Sequence, residues 1–275
     1  MRALPATVLA VCGLIASACG GTGSGGAAAG QAAPATAAGQ ASPSSATAKG
    51  APPAAKPLDG KVIVIDPGHN GANYRNPKVI NRQVDVLTQK KACDTTGTST
   101  NSGYSEAAFT WDVSNRMVRI LERRGATVKL TRTSNNGVGP CITERAAIGN
   151  EAKADAAISV HADGSAPGNH GFHVIMPKKI NGPVDKVVGA SSELGIAVRD
   201  AYRKGTGIAY STYIGRKALD YRNDLGGLNL STVPKVFIET GNMRNAGDAA
   251  KLQSPAFRQK IALALANGLQ HYLEA

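Results

Sequence analysis

The chain has 275 residues and a formal net charge of +12, with 18% charged and 4% aromatic residues. That length allows one large domain or two small ones. No basic run is interleaved with aromatic residues, which argues against nucleic acid as a partner.

Residues 1–19 read as a signal peptide. Arg2 supplies one positive charge, Ala6 to Ile15 form an apolar run too short to span a membrane, and Ala16, Ser17 and Ala18 have the small-x-small pattern of a cleavage site. Cys19 follows that point, so a lipid-anchored alternative stands beside a freely secreted one. Either way the chain is expected to be exported. Residues 20–57 are almost entirely Ala, Gly, Pro, Ser, Thr and Gln, with Lys49 and Lys56 as the only charges. Such a stretch buries too little apolar surface to offset its ordering entropy and is expected to be a flexible linker.

Residues 58–275 carry every aromatic and every acidic residue and a net charge of +9. They are enough for one domain with a substantial core. Outside the cytoplasm, its two cysteines, Cys93 and Cys141, are most simply a disulfide, since neither has metal-site spacing. A basic exported domain suits an anionic surface such as a bacterial wall, and generic solubility is the plainer reading of the same charge.

Along the domain, Lys61 to Ile65 is a continuous apolar run breaking at Asp66-Pro67-Gly68, the pattern of a buried strand entering a loop. Residues 71–104 are polar and read as a long irregular insertion, which in a compact domain is usually functional or mobile. Ser105 caps a helix to about Arg124, with Phe109, Val113, Met117, Ile120 and Leu121 on one face and Gly125 after its end. Strands are expected at 126–132, 156–160, 171–176 and 235–239. Helices are expected at 142–153 and 184–204, and from Pro255 behind a Ser254 cap, with Phe257, Ile261, Leu265 and Leu269 buried. This alternation predicts a single-domain α/β sandwich around a mostly parallel sheet, with helices flanking it.

Ligands of open α/β sheets bind beyond the carboxyl ends of the strands. His69 follows the first strand, His161 ends the strand at 156–160, and Glu239 ends the late strand. Glu106 lies in the first turn of the helix after the insertion. Two histidines and a carboxylate are a common ligand set for catalytic zinc, leaving a position for water, and a second carboxylate can serve as general base. That division gives His69, Glu106 and His161 to the metal and Glu239 to proton transfer. Each residue alone has a structural alternative. A histidine at a strand end can be merely hydrogen-bonded, and a first-turn glutamate can simply answer the helix dipole. His170 and His173 are competing ligands, set aside because they follow a Gly-rich turn.

Asp66-Pro67-Gly68-His69, Glu106 opening a helix, Ser159-Val160-His161-Ala162-Asp163, and the block from Leu228 to Asn242 occur in an order that resembles the zinc-dependent N-acetylmuramoyl-L-alanine amidases. The resemblance spans residues 61–273. It implies a sandwich around a sheet of about six strands, one Zn2+ held by His69, Glu106 and His161, and catalysis by Glu239. The implied reaction is hydrolysis of the amide joining N-acetylmuramic acid to L-Ala in peptidoglycan, during wall remodelling or cell separation. The implied partners are muramoyl peptides, with the enzyme a monomer. Two positions depart from the family pattern: Asp163 stands where Asn is common, and His173 stands where Gly-x-Glu would place a glutamate. No separate wall-binding repeat is visible. A zinc peptidase cutting within the stem peptide and a non-catalytic wall-binding homologue are the alternatives.

Overall fold

A computed structural model describes residues 55–275, so the expected signal peptide and the expected linker up to residue 54 lie outside the described residues. The first buried side chain is Leu58, whose backbone N–H donates to the Arg124 carbonyl. From there the chain runs into β1 (Val62–Pro67). The expected irregular insertion holds some regular structure: a 3₁₀ turn (Asn73–Arg75), α1 (Pro77–Ile80) and a hairpin of β2 (Gln83–Asp85) and β3 (Lys90–Ala92). Three-residue strands made mostly of polar residues carry too short an apolar pattern to be read in advance.

After the insertion come α2 (Glu106–Arg123), β4 (Thr127–Leu130), α3 (Ile142–Glu151), β5 (Ala156–Asp163) and β6 (His173–Pro177). The Ser105 hydroxyl accepts from Ala108 N and closes the start of α2, as its sequence position predicts. The helix expected at 184–204 is divided. A 3₁₀ turn (Pro183–Lys186) precedes α4 (Val188–Thr206), because Asp185 accepts from the backbone of Ile180 and Asn181 and holds a turn there. Three further elements escaped the sequence reading: β7 (Leu219–Arg222), α5 (Gly226–Asn229) and α6 (Ala246–Gln253). The chain ends with β8 (Lys235–Asn242) and α7 (Pro255–Glu274), the latter capped by Ser254.

The six-stranded sheet has the order β4-β1-β5-β8-β6-β7. Strands β4, β1, β5 and β8 are mutually parallel, whereas β6 runs antiparallel to β8 and parallel to β7. Helices α2, α4 and α7 pack on one face. Ile63, Ile65, Ile158, Val160, Val236, Ile238, Val174 and Met176 point there into the main core with Phe109, Met117, Leu194 and Leu265. Side chains alternate across a strand, so the intervening residues face the other side. That side is thinly covered, by α3 and α5, and its apolar cluster is small: Val64, Ala154, Ala157 and Val233. On the same parity as Val64 and Ala157 lie Asp66, Ser159, His161, Lys235, Phe237, Glu239 and His173. The thin face therefore carries the polar chemistry.

Cys93 and Cys141 form a disulfide, with Cα atoms 4.6 Å apart across a sequence separation of 48. It ties the end of β3 to the start of α3, and Ile142 N–H donates to the Cys93 carbonyl beside it. Closing a loop of that size stabilises the fold by about 4 kcal/mol in the chain-entropy model, often less in practice. The double variant Cys93→Ser, Cys141→Ser is expected to unfold at lower denaturant by up to that amount. Thiol titration of the unfolded, unreduced mature domain should find neither cysteine free. An unchanged midpoint would show that the link contributes nothing to stability.

Candidate metal centre and active-site cleft

Beyond the carboxyl ends of β1, β5 and β8 opens a cavity of about 390 Å³, lined by His69, Glu106, His161 and Glu239 and flanked by Asp94 and Gly97. The parallel run of β1, β5 and β8 is what brings the three strand-borne residues to one rim. Glu106 reaches them from the first turn of α2, where it is buried.

Glu106 lies between the two histidines. Its Oε1 accepts from His161 Nδ1 at 2.9 Å and from Ala162 N at 3.2 Å. Its Oε2 is 3.2 Å from His69 Nε2 and accepts from Thr98 N at 2.9 Å. One donor atom from each of His69, Glu106 and His161 lies within 4.8 Å of the others, so the group can hold a metal ion. The electrostatics agree. Burial alone would lower the His69 pKa, yet Glu106 and Asp94 outweigh it and raise the pKa to about 10. The carboxylates thus demand positive charge where a divalent cation would sit. Burial pushes the Glu106 carboxyl upward, and the two imidazoles overcome that and hold it well below the usual carboxylate range. Burial lowers the pKa of His161, which favours the neutral form that a metal would need.

The rings are held tightly. His161 stacks on Phe237 with centroids 4.0 Å apart. A Cβ at Gly68 would lie 2.1 Å from His161 Cε1, so only glycine lets the β1 loop cross that imidazole. At Gly97, φ is +72°, and a Cβ would lie 2.8 Å from both Glu106 Oε2 and His69 Cδ2. His69 itself adopts φ 58°, a left-handed conformation that costs a non-glycine residue about 1 kcal/mol or more.

Glu239 stands opposite His161 in the β5–β8 register and opposite His173 in the β6–β8 register. It lines the cavity, and its Oε2 is buried with no hydrogen-bond partner. Burial first, then the Glu106 and Asp163 charges, push its carboxyl well above the ordinary glutamate value. His170 and His173 do not join the metal group. His170 is exposed in the loop, and His173 is buried beside Glu239 with its Nδ1 unpartnered. Asp163 turns to the Tyr213 hydroxyl, which donates to Oδ2 at 2.8 Å.

Sequence reasoning missed the support beneath the centre. Arg145 in α3 donates to Asp66 at 2.8 Å and to Asp94 at 3.1 Å, and Lys235 Nζ lies 3.5 Å from Asp66. All four side chains are buried. Arg132 donates to the carbonyls of Pro67 and Ala107, pinning the β1 loop to α2. The one available signal was Lys235 at the head of an apolar strand, where an unpaired charge would be costly.

The profile of the N-acetylmuramoyl-L-alanine amidase family matches residues 63–271. The N-acetylmuramoyl-L-alanine amidase Rv3717 of Mycobacterium tuberculosis is 40% identical over 218 residues, covering 78% of this chain and 88% of that protein. The crystal structure of the N-acetylmuramyl-L-alanine amidase Ami1 from Mycobacterium smegmatis aligns with a TM-score of 0.74 at 39% identity, over 78% of this chain and 98% of that one. The apo form of Ami1 from Mycobacterium abscessus aligns equally well at 43% identity, over 78% of this chain and all of the other. By the extent of these matches, and with a sheet and cleft that agree, the chain belongs to the N-acetylmuramoyl-L-alanine amidase family of amide hydrolases.

Proposed function

We propose that this amidase cuts the amide between the lactyl group of N-acetylmuramic acid and the L-Ala of the stem peptide, with His69, Glu106 and His161 holding one Zn2+ and Glu239 acting as general base. The observation that carries the reading is the juxtaposition across β5 and β8. It sets a three-donor group and an unligated, buried carboxylate side by side on one rim. Two imidazoles, neutral once a metal displaces the His69 proton, and one carboxylate suit zinc, which when bound supplies Lewis acidity to a carbonyl and lowers the pKa of water to about 7.

The chain's own residues do the rest. Glu239 takes a proton from the attacking water as the carbonyl carbon becomes tetrahedral. Burial and the nearby carboxylates raise its proton affinity, which suits a group that must hold that proton until the C–N bond breaks. The proton then passes to the leaving nitrogen of L-Ala. Phe237, stacked on the His161 ring, holds that imidazole in place beside the cavity.

A zinc peptidase acting within the stem peptide would use the same groups, and family membership favours the muramoyl amide. We place the enzyme outside the cytoplasm, exported by residues 1–19 as a soluble monomer or anchored through Cys19. No helix among the described residues is long and apolar enough to cross a membrane.

A chelator is expected to abolish activity and added zinc to restore it. Full turnover by metal-free protein, verified by elemental analysis, would remove the metal assignment. Glu239→Gln should lower kcat by about 10²–10⁴-fold while zinc content stays at one per domain, because the change removes a base and spares the ligands. Loss of zinc from that variant would make Glu239 a ligand instead. Mass spectrometry of a digested muramoyl peptide should reveal a newly freed L-Ala amine. Cleavage between stem residues instead would establish the peptidase reading.

A further inference from the structure

We infer that Asp94, clamped by Arg145, is a positioning residue that fixes the proton of His69 on Nδ1 and thereby aims Nε2 into the metal centre. This rests on the reading of His69 as a metal ligand, and it concerns residues outside the donor set.

His69 Nδ1 lies 3.2 Å from each of three oxygens: Asp94 Oδ1, the Thr95 carbonyl and Thr95 Oγ1. An ionised carboxylate and a carbonyl only accept, so the nitrogen facing them must carry the hydrogen. Nε2 faces Glu106 Oε2 at 3.2 Å, so without metal it carries a second proton there, and it is the nitrogen left to ligate once a cation displaces that proton. Of the two neutral tautomers, the one protonated on Nδ1 is therefore the one this pocket selects when a cation takes the place of the Nε2 proton.

Asp94 is itself held on both oxygens. Oδ1 accepts from Thr95 N at 2.7 Å as well as from His69, and Oδ2 accepts from Arg145 Nη2 at 3.1 Å. The same Arg145 nitrogen donates to the His69 carbonyl at 3.1 Å. One guanidinium thus grips both the strained main chain of His69 and the partner of its ring. Arg145 is positioned in turn by Asp66 and by the carbonyls of Pro67 and Pro140. The disulfide joins the two halves of the clamp. Cys93 precedes Asp94 by one residue, and Cys141 lies one helical turn before Arg145.

Both carboxylate oxygens must accept, and an amide offers only one acceptor. In Asp94→Asn, an NH₂ group faces either Arg145 or His69, and both are donors. Partners that orient a ligating histidine typically change metal affinity by about 10–100-fold when removed.

The test is to titrate the metal-free wild-type domain and Asp94→Asn with zinc against a competing chelator, and to melt both without metal. Zinc affinity is expected to fall about 10–100-fold in the variant, measured at a temperature where both metal-free proteins are folded. The variant also melts lower, because Arg145 loses a buried carboxylate. Wild-type imidazole ¹⁵N NMR, which needs no variant, should find His69 protonated on Nδ1 with zinc bound. Affinity within twofold of wild type, or a zinc-loaded wild type with His69 protonated on Nε2, would overturn the inference. If Asp94→Asn does not fold, the tautomer measurement decides alone. A wild-type domain that takes up no zinc at all fails the metal reading itself, and the inference with it.

Discussion

Arg145 is a buried cation with two buried carboxylate partners, and the geometry of the candidate metal centre follows from where it sits. Its guanidinium links Asp66 at the end of β1, Asp94 in the insertion, and the carbonyls of Pro67 and His69. Ser159 and Thr131 complete the shell of Asp66, so the ions have hydrogen-bonding partners on several sides. Burial would raise the Asp66 pKa, and Lys235 and Arg145 reverse that and hold it far below the carboxylate range. A buried ion cluster contributes little net stability compared with well-packed apolar residues, but removing one member leaves an uncompensated charge. Here the cluster has a geometric job. It joins three separate chain segments at one point directly beneath His69.

The fold was largely legible because its main strands are long apolar runs and its main helices carry clean stripes. The four residues of the metal centre and the cleft stood out for a related reason. His69, His161 and Glu239 are polar groups at the ends of apolar strands, and Glu106 opens a strongly patterned helix. What was illegible lacked such contrast. Leu219–Arg222 is an edge strand beside β6, half exposed, with no apolar run to announce it. The arginine of α3 and the aspartate after Cys93 look in sequence like ordinary solvated charges. Only the tertiary arrangement shows both to be buried and paired, because their partners lie 51 residues apart along the chain. The orientation of β6 was equally hidden, since strand direction depends on the connection and not on the strand's own pattern.

The two faces of the sheet divide the work. Under α2, α4 and α7 the strands contribute Ile, Val and Met to a continuous core, where each fully buried side chain contributes on the order of 2 kcal/mol. On the other face the same strands present Asp66, Ser159, His161, Lys235 and Glu239, and a lighter cover leaves the rim open. Strands β5 and β8 therefore cannot be improved for packing on both sides at once. Their second face is committed to ions and to imidazole.

That alternation makes pairing register a matter of chemistry as well as of folding. His161, Glu239 and His173 form one row across β5, β8 and β6 because each sits at the same level of the pleat. A slip of β8 by one residue would turn Glu239 into the helix-covered core and present Val236 and Ile238 to the cleft. Such a chain could be compact and still lack the Glu239 carboxylate in its cleft. Selection acting on turnover alone would then also proofread the sheet, because a mispaired molecule is a silent one.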